Sequence, residues 1–367
     1  MFKLSSNQNL NTVLHILNKP NALGGIETLL QTVLENTMNC TLKHKTFFIA
    51  NSATSRWFFQ RSVARMVVFF SALIRLGFLI IQYKLRGKQL ILVFHSAEAH
   101  FLSCLVEFST RLIGDMRILV YLHQSPNLYP VRLKKYIVYL LKRGTPSISY
   151  SRKIQSAWNI PRDQINSKVI HAIPRPQNYA KAHKLEVSST RLNLLFVGRD
   201  VFWKRLDLAI DFASVLKLDG LPVSLYIAGG DANELKDRWA ENYPSLDLNF
   251  LGQVEWPDYA SCDFLLVPCN HEDSRESLGI AGFESISQKT PVLIRNPYFT
   301  DFSELPGIYT FEWILGLVKN CGDIERSISV LKGLRLTESQ VKDAWGKTLS
   351  PQRYIQELEN FLVTIKR

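Results

Sequence analysis

Residues Asp263–Ile294 read DFLLVPCNHEDSRESLGIAGFESISQKTPVLI. The opening DFLLVP is a short apolar run of the kind that forms a strand buried on both faces. Ser277-Leu278-Gly279-Ile280 opens a helix after it, and the PVLI that follows is again a buried strand. Strand, helix and strand in that order make a right-handed parallel crossover. The same alternation extends outward in both directions. NLLFVG, VSLYIAG and LNFLG precede the stretch, and TVLHIL, TFFIA, LILVFH, RILVYLH and SISYS occupy the first half. Helical stretches such as Glu27–Asn36 and Ala99–Ile113 lie between the strands. The fold class implied is α/β, with two Rossmann-like doubly wound domains in tandem.

The length of 367 residues suits two domains, at about 150 residues each. The polar segment Ile173–Thr190, with two prolines and no period, holds the linker. We set it at 176–190, between a first domain at 1–175 and a second at 191–351. In the last stretch, Tyr354, Ile355, Leu358, Phe361, Leu362 and Ile365 share one face of an amphipathic helix over 352–366. That helix is expected to pack back on the first domain.

A hydrophobic share of 46% with 21% charged residues excludes a disordered chain. Five scattered cysteines without a Cys-x-x-Cys pair exclude a zinc ribbon and argue against a disulfide framework, so a reducing cytosol is the expected compartment. The N-terminal MFKLSSNQNLNTVLHIL has no long apolar core and reads as no secretory signal. Residues 1–190 carry 25 Lys and Arg against 7 Asp and Glu, whereas 191–367 carry 19 against 25. So basic a first half points to a polyanionic partner, either nucleic acid or an anionic membrane surface. Arg/Lys-rich arms, an RRM signature and a zinc module are all missing, which argues against nucleic acid.

Ser55–Gln89 encloses Met66–Tyr83, an almost wholly apolar run with Arg75 at its centre. Three readings are open: a membrane span, a helix buried in the core, and a basic helix lying on the membrane. A mid-membrane arginine costs about 2.5–3.5 kcal/mol on insertion scales, which weakens the span. Arg56, Arg61, Arg65, Lys84, Arg86 and Lys88 suit lipid headgroups in the surface reading.

Two regions carry candidate chemistry. Arg199 and Lys204 follow the strand NLLFVG, at the carboxyl end where open α/β sheets bind ligands. They read either as solvated loop cations or as a clamp on a diphosphate and its departing charge. Glu276 and Glu284 flank Ser277-Leu278-Gly279-Ile280, whose free helix amides and glycine make a phosphate site. Glu284 then suits a ribose diol, and Glu276 faces the group attached to the diphosphate. The plainer reading keeps both glutamates solvated, with Glu276 favoured by the helix macrodipole. His95 and His100 near the end of VFH read as hydrogen-bonded packing residues.

Together these residues resemble glycosyltransferase family 4 of the GT-B fold. The likeness rests on Arg199 and Lys204, on Glu276-Ser-Leu-Gly-Ile-Ala-Gly-Phe-Glu284, and on the closing TPVLI. YIAGG (Tyr226–Gly230) and FLGQV (Phe250–Val254) are similar to the family's nucleotide-side loops. Gly24-Gly25-Ile26-Glu27 matches its first glycine loop, and His123 falls where the family keeps an active-site histidine. Lys289 stands where glycine is common, and IPRPQNY lacks the usual Asn-Gly; both departures bear on the donor sugar.

The resemblance implies two domains facing each other across a cleft, and retaining transfer of a sugar from a UDP- or GDP-linked donor without a required metal. It assigns Glu276, His123, Arg199 and Lys204 to catalysis. It assigns Gly25, Arg199, Lys204, Val254, Ser277, Leu278, Gly279, Ile280 and Glu284 to the nucleotide sugar. His271-Glu272-Asp273 has no further histidine and no Asp-x-Asp, so no metal site is read there. The expected acceptor is a glycan, lipid-linked or of lipopolysaccharide or surface-polysaccharide type, met at the cytoplasmic membrane face by a peripheral protein. The alternative is a catalytically degenerate homologue that partners an active transferase.

Overall fold

The computed structural model describes residues 12–17, 34, 42–49, 62–87, 89–95, 99–100, 102–103, 106, 116–123, 126–170, 183–202, 204–254, 257–269, 279–295, 305–344, 346 and 350–365. The chain divides into two compact units, residues 1–171 with 351–367, and residues 172–350.

In the first unit the strands are β1 (Thr12–Leu17), β2 (Lys43–Phe48), β3 (Leu90–Phe94), β4 (Met116–Leu122), β5 (Ser147–Ser149) and β6 (Ser167–Val169). They form one parallel sheet in the order β2-β1-β3-β4-β5-β6. Alternate residues of β1 and β3 (Leu14, Ile16, Leu92 and Phe94) pack against Ala72, Leu76 and Ile80 of α1 (Ser62–Leu85). Val120 and Leu122 of β4 instead meet α2 (Val131–Lys142) and Ile154 of α3 (Arg152–Ala157). The Ser151 side chain accepts the Ile154 amide and starts α3.

Helix α1 carries the apolar run and is buried on one face only. Ala72, Leu76, Ile80 and Tyr83 are buried, while Phe70, Ile74, Phe78 and Leu85 on the opposite face are 58%, 58%, 71% and 84% exposed. Arg75 is tied to its own domain: its guanidinium donates to the Ile49 carbonyl at 3.0 Å and lies 5.4 Å from the Phe47 ring centre. Among the described residues no helix is long and apolar enough to cross a membrane.

The second unit repeats the plan with β7 (Leu192–Val197), β8 (Val223–Ala228), β9 (Asp247–Gly252), β10 (Phe264–Val267), β11 (Val292–Ile294) and β12 (Ile308–Thr310). Their order is β12-β11-β10-β7-β8-β9, again parallel throughout. The helices are α4 (Leu206–Leu218), α5 (Ala232–Trp239), α6 (Gly279–Ser287), α7 (Phe311–Cys321), α8 (Ile324–Lys332) and α9 (Glu338–Ala344). Leu194, Phe196, Leu225, Phe264 and Leu293 from the sheet build its core with Ile210 and Ala213 of α4 and Ile314 of α7.

The chain then returns to the first unit as α10 (Pro351–Thr364), with Tyr354, Ile355, Leu358, Phe361 and Leu362 buried. The hydroxyls of Tyr121 and Tyr354 bond at 3.0 Å, and the Leu42 amide donates to Glu359 at 2.9 Å. Of the two helices expected in the first half, Glu27–Asn36 lies outside the described residues save Leu34. Within Ala99–Ile113 the described residues 99, 100, 102, 103 and 106 are helical. The edge strands β6 and β12 were not anticipated, because each is only three residues long, SKV and IYT.

Candidate nucleotide and active site

An open parallel sheet whose strand order reverses has a crevice at the carboxyl ends of the strands beside the reversal. In the second unit the reversal falls between β7 and β10, which pair with Phe264 opposite Leu194 and Leu266 opposite Phe196. From β7 issues the loop of Arg199 and Lys204, and from β10 the chain that enters α6 at Gly279. The fold therefore brings to neighbouring strand ends the two regions that the sequence singled out.

The floor beside them is bare backbone. Gly198 donates its amide to Ala228 at 2.9 Å, and Gly229 donates to Gly252 at 2.6 Å, which stitches together the ends of β7, β8 and β9. Gly229 has φ +127°, and a Cβ there would overlap the Gly198 carbonyl. Only glycine fits. The Lys204 side chain folds over Gly198, with Cδ 3.3 Å from where a Cβ would stand. Arg199 is exposed and Lys204 half-buried.

Asp200 is bound by Arg238 at 2.6 Å and by the Trp239 ring at 3.2 Å. Asp207 is held by Arg205, whose guanidinium pushes that carboxyl below its ordinary range. The carboxylates nearest Arg199 and Lys204 in sequence are thus engaged by other groups. Arg205 itself sits at φ +56°, a strained conformation that turns the chain sharply into α4.

Gly279 and Ile280 begin α6 half-buried, with Gly279 at φ +70°. Glu284 is 2% exposed, and its Oε2 accepts the Tyr259 hydroxyl at 2.9 Å. Tyr259 is in turn fixed by Thr290, whose hydroxyl donates to the Tyr259 carbonyl at 2.7 Å. The solvated reading of Glu284 is corrected: the carboxylate is interior and satisfied by a hydroxyl. Tyr259 was missed, since nothing local in the sequence ties it to a residue on α6. Val254 lies half-buried just past β9. Gly25, Glu276, Ser277 and Leu278, together with His271, Glu272 and Asp273, lie outside the described residues.

Lys289 has a structural place. It sits at φ +68° after α6 and pairs with Glu338 at 2.5 Å. A left-handed position accounts for glycine being usual there.

In the first unit the order reverses between β1 and β3. His95 follows β3 and His123 follows β4, and their rings are bonded, His95 Nδ1 to His123 Nε2 at 3.1 Å. His95 Nε2 meets His15 Nδ1 at 2.9 Å, and His15 Nε2 meets His44 Nδ1 at 2.9 Å. The Tyr121 ring stacks on His123 with centroids 4.1 Å apart. Burial pushes His15 and His95 well below the ordinary histidine range, His44 to about 4 and His123 to about 3. His100 is a packing residue, bonded through Nε2 to the Phe94 carbonyl at 2.9 Å. His15 and His44 were not singled out from sequence. The available signal was one polar residue inside the buried strand TVLHIL, which has to find a partner.

Two doubly wound parallel sheets in tandem are the plan of the GT-B fold. Residues 180–301 match the family model described as glycosyl transferases group 1. Solved structures agree on the fold. A glycosyltransferase from Rickettsia africae ESF-5 is 13% identical with a TM-score of 0.61, covering 98% of this chain and 100% of that one. The lipopolysaccharide outer core galactosyltransferase WaaB is 15% identical with a TM-score of 0.62, covering 96% and 99%. The catalytic domain of starch synthase IV from Arabidopsis thaliana, bound to ADP and acarbose, is 10% identical with a TM-score of 0.62, covering 98% and 100%. No curated protein matches the sequence.

Proposed function

We propose that the protein transfers a sugar, with retention of anomeric configuration and without a required metal, from a nucleotide-sugar donor to a lipid-linked or polysaccharide acceptor. The observation that carries this is the strand-order reversal between β7 and β10, at which the loop of Arg199 and Lys204 leaves β7 and the chain leading to α6 leaves β10. The diphosphate lies against Arg199, Lys204 and the free amides at that start, which stabilise the charge released as the sugar departs. Protein cations then do what a divalent metal does in other sugar transferases. Glu284, oriented by Tyr259, accepts from the ribose diol, and Glu276 faces the sugar.

Support for the acceptor class comes from WaaB, a lipopolysaccharide galactosyltransferase by its description. Support for a nucleoside diphosphate comes from the ADP in starch synthase IV. The exposed apolar face of α1 and the excess of basic residues in 1–190 support work at an anionic, inner membrane face. Hydrolysis or transfer assays with UDP- and GDP-sugars, run with and without EDTA, test the proposal. Turnover that survives chelation is expected. Turnover lost with EDTA and restored by Mg²⁺ or Mn²⁺ would assign a different catalytic class. Nucleotide binding without turnover of any donor would favour the degenerate partner.

A further inference from the structure

The buried histidines join into one chain that crosses the first unit's sheet. His44 lies on β2, His15 on β1, His95 just past β3 and His123 just past β4, four adjacent strands. His44 stands opposite Val13, and His15 opposite Val93. Each histidine is therefore two residues nearer the carboxyl edge than the last, and all four share one face of the pleat. The three N···N distances along the chain are 2.9, 2.9 and 3.1 Å. At its inner end His44 Nε2 is buried without a hydrogen-bond partner and lies 4.0 Å from Glu359 Oε1 on α10.

A bond between two ring nitrogens needs one N–H and one bare nitrogen, and a neutral imidazole has one of each. The bonds therefore fix one another. If His44 holds its proton on Nε2, its Nδ1 accepts from His15 Nε2. His15 Nδ1 then accepts from His95 Nε2, and His95 Nδ1 accepts from His123 Nε2. His123 Nδ1 is left as a bare acceptor. In the reverse order every proton sits on Nδ1, so His123 Nδ1 becomes a donor. Four protons occupy four rings in both arrangements, and only the direction differs. Burial keeps the rings uncharged at neutral pH, so direction is what the chain can transmit.

The reverse order aims a nitrogen lone pair at the Glu359 carboxylate, while the forward order aims an N–H at it. In a poorly polarisable interior that contrast is strong, and bonded neighbours reinforce it. We propose that Glu359 orients the whole chain and so sets His123 Nδ1 as a hydrogen-bond acceptor. Glu359, His44, His15 and His95 are positioning residues. The group that His123 Nδ1 meets must then donate, as a sugar hydroxyl does and a carbonyl or carboxylate does not. This last consequence rests on reading His123 as an active-site residue.

Long-range proton–nitrogen correlation spectra of the full chain, with histidine labelled in ¹⁵N, read the tautomer of each ring at neutral pH. All four rings are expected to be protonated at Nε2. Protonation of any of them at Nδ1 overturns the proposal, and that measurement needs no variant. In a folded Glu359→Gln chain, His123 Nδ1 is expected to gain a proton in a measurable fraction of molecules. The same change in a His15→Phe background is expected to leave His123 untouched. If Glu359→Gln alone leaves His123 wholly protonated at Nε2, Glu359 is not the orienting group. A His123→Ala variant with normal turnover would remove the active-site reading of His123 and leave the order of the other three rings standing.

Discussion

The Tyr259 hydroxyl donates to Glu284 Oε2 at 2.9 Å, joining the turn after β9 to the middle of α6 in the interior of the second unit. Removing that donor leaves a buried carboxylate under-satisfied, at a cost of about 1–3 kcal/mol. Tyr259→Phe is therefore expected to lower the melting temperature and to weaken nucleoside-diphosphate binding together. Glu284→Gln keeps an acceptor for Tyr259, so it should weaken binding with little loss of stability. Calorimetric titration with UDP, GDP and ADP checks both. Unchanged affinity in Glu284→Gln removes the ribose role.

Arg199→Ala and Lys204→Ala are expected to separate activity from stability in the other direction. Arg199 is exposed and Lys204 half-buried on a loop outside the hydrophobic core, where substitutions usually shift folding by roughly 0.5 kcal/mol, whereas a diphosphate clamp acts where charge develops. A loss of turnover on the order of a hundredfold or more is expected in each, with nearly unchanged thermal unfolding. Near-native turnover in both variants would sink the clamp.

How much of this was open to a reader of the sequence depends on the range of the signal. The strands β1, β3, β7, β8 and β10 are apolar runs, because a strand buried on both faces has no polar side, and such runs are local. Gly229 was legible as part of a loop, but its reason, the Gly198 carbonyl against it, is a contact between neighbouring strands. The partnership of Tyr259 with Glu284 and the diagonal of His44, His15, His95 and His123 depend on strand order and pleat parity. Those are properties of the folded sheet. The edge strand β12 was missed because Ile308-Tyr309-Thr310 is too short to show a period.

Lys289 offers a test of strain without function. A side chain at φ +68° costs roughly 1–2 kcal/mol against glycine. The ion pair with Glu338 joins half-exposed groups and offsets little of that cost. Lys289→Gly is expected to raise stability to chemical denaturation by about 1 kcal/mol and to leave the donor preference unchanged. A change in donor preference would return Lys289 to the sugar site.

The neutral histidines make the first unit acid-sensitive. Their folded values lie below the unfolded value of about 6.5, with His44 and His100 near 4. Above about pH 6.5 both states are uncharged and the stability is fully present. As the pH falls below that, the unfolded chain takes up protons that the folded rings refuse. At about pH 5.5 each buried ring weighs ~1.4 kcal/mol against folding. His15, His44, His95 and His100 together approach ~5–6 kcal/mol, a large part of the 5–15 kcal/mol typical of a domain. Denaturant midpoints are expected to fall steeply between about pH 6.5 and pH 5, with net proton uptake on unfolding. A flat profile over that range would show that these rings are not held neutral by the fold.

Helix α1 carries the last prediction. Phe70, Ile74, Phe78 and Leu85 stand exposed on the face opposite Leu76 and Ile80, and Lys84 and Arg86 are exposed at the same end as Leu85. A helix held in place by its buried face can press its apolar face into lipid without unfolding, while flanking cations meet anionic headgroups. Each such cation contributes about 1 kcal/mol and is screened by salt, whereas apolar insertion is not. The chain is therefore expected to bind phosphatidylglycerol vesicles more tightly than neutral ones, and high salt should release only part of it. Phe70→Ser combined with Phe78→Ser removes exposed side chains, so the fold should tolerate both while the salt-resistant fraction disappears. Lys84→Glu with Arg86→Glu should remove mainly the salt-sensitive fraction. If the folded Phe70/Phe78 variant binds vesicles as the native chain does, this face of α1 is not the surface that meets the membrane.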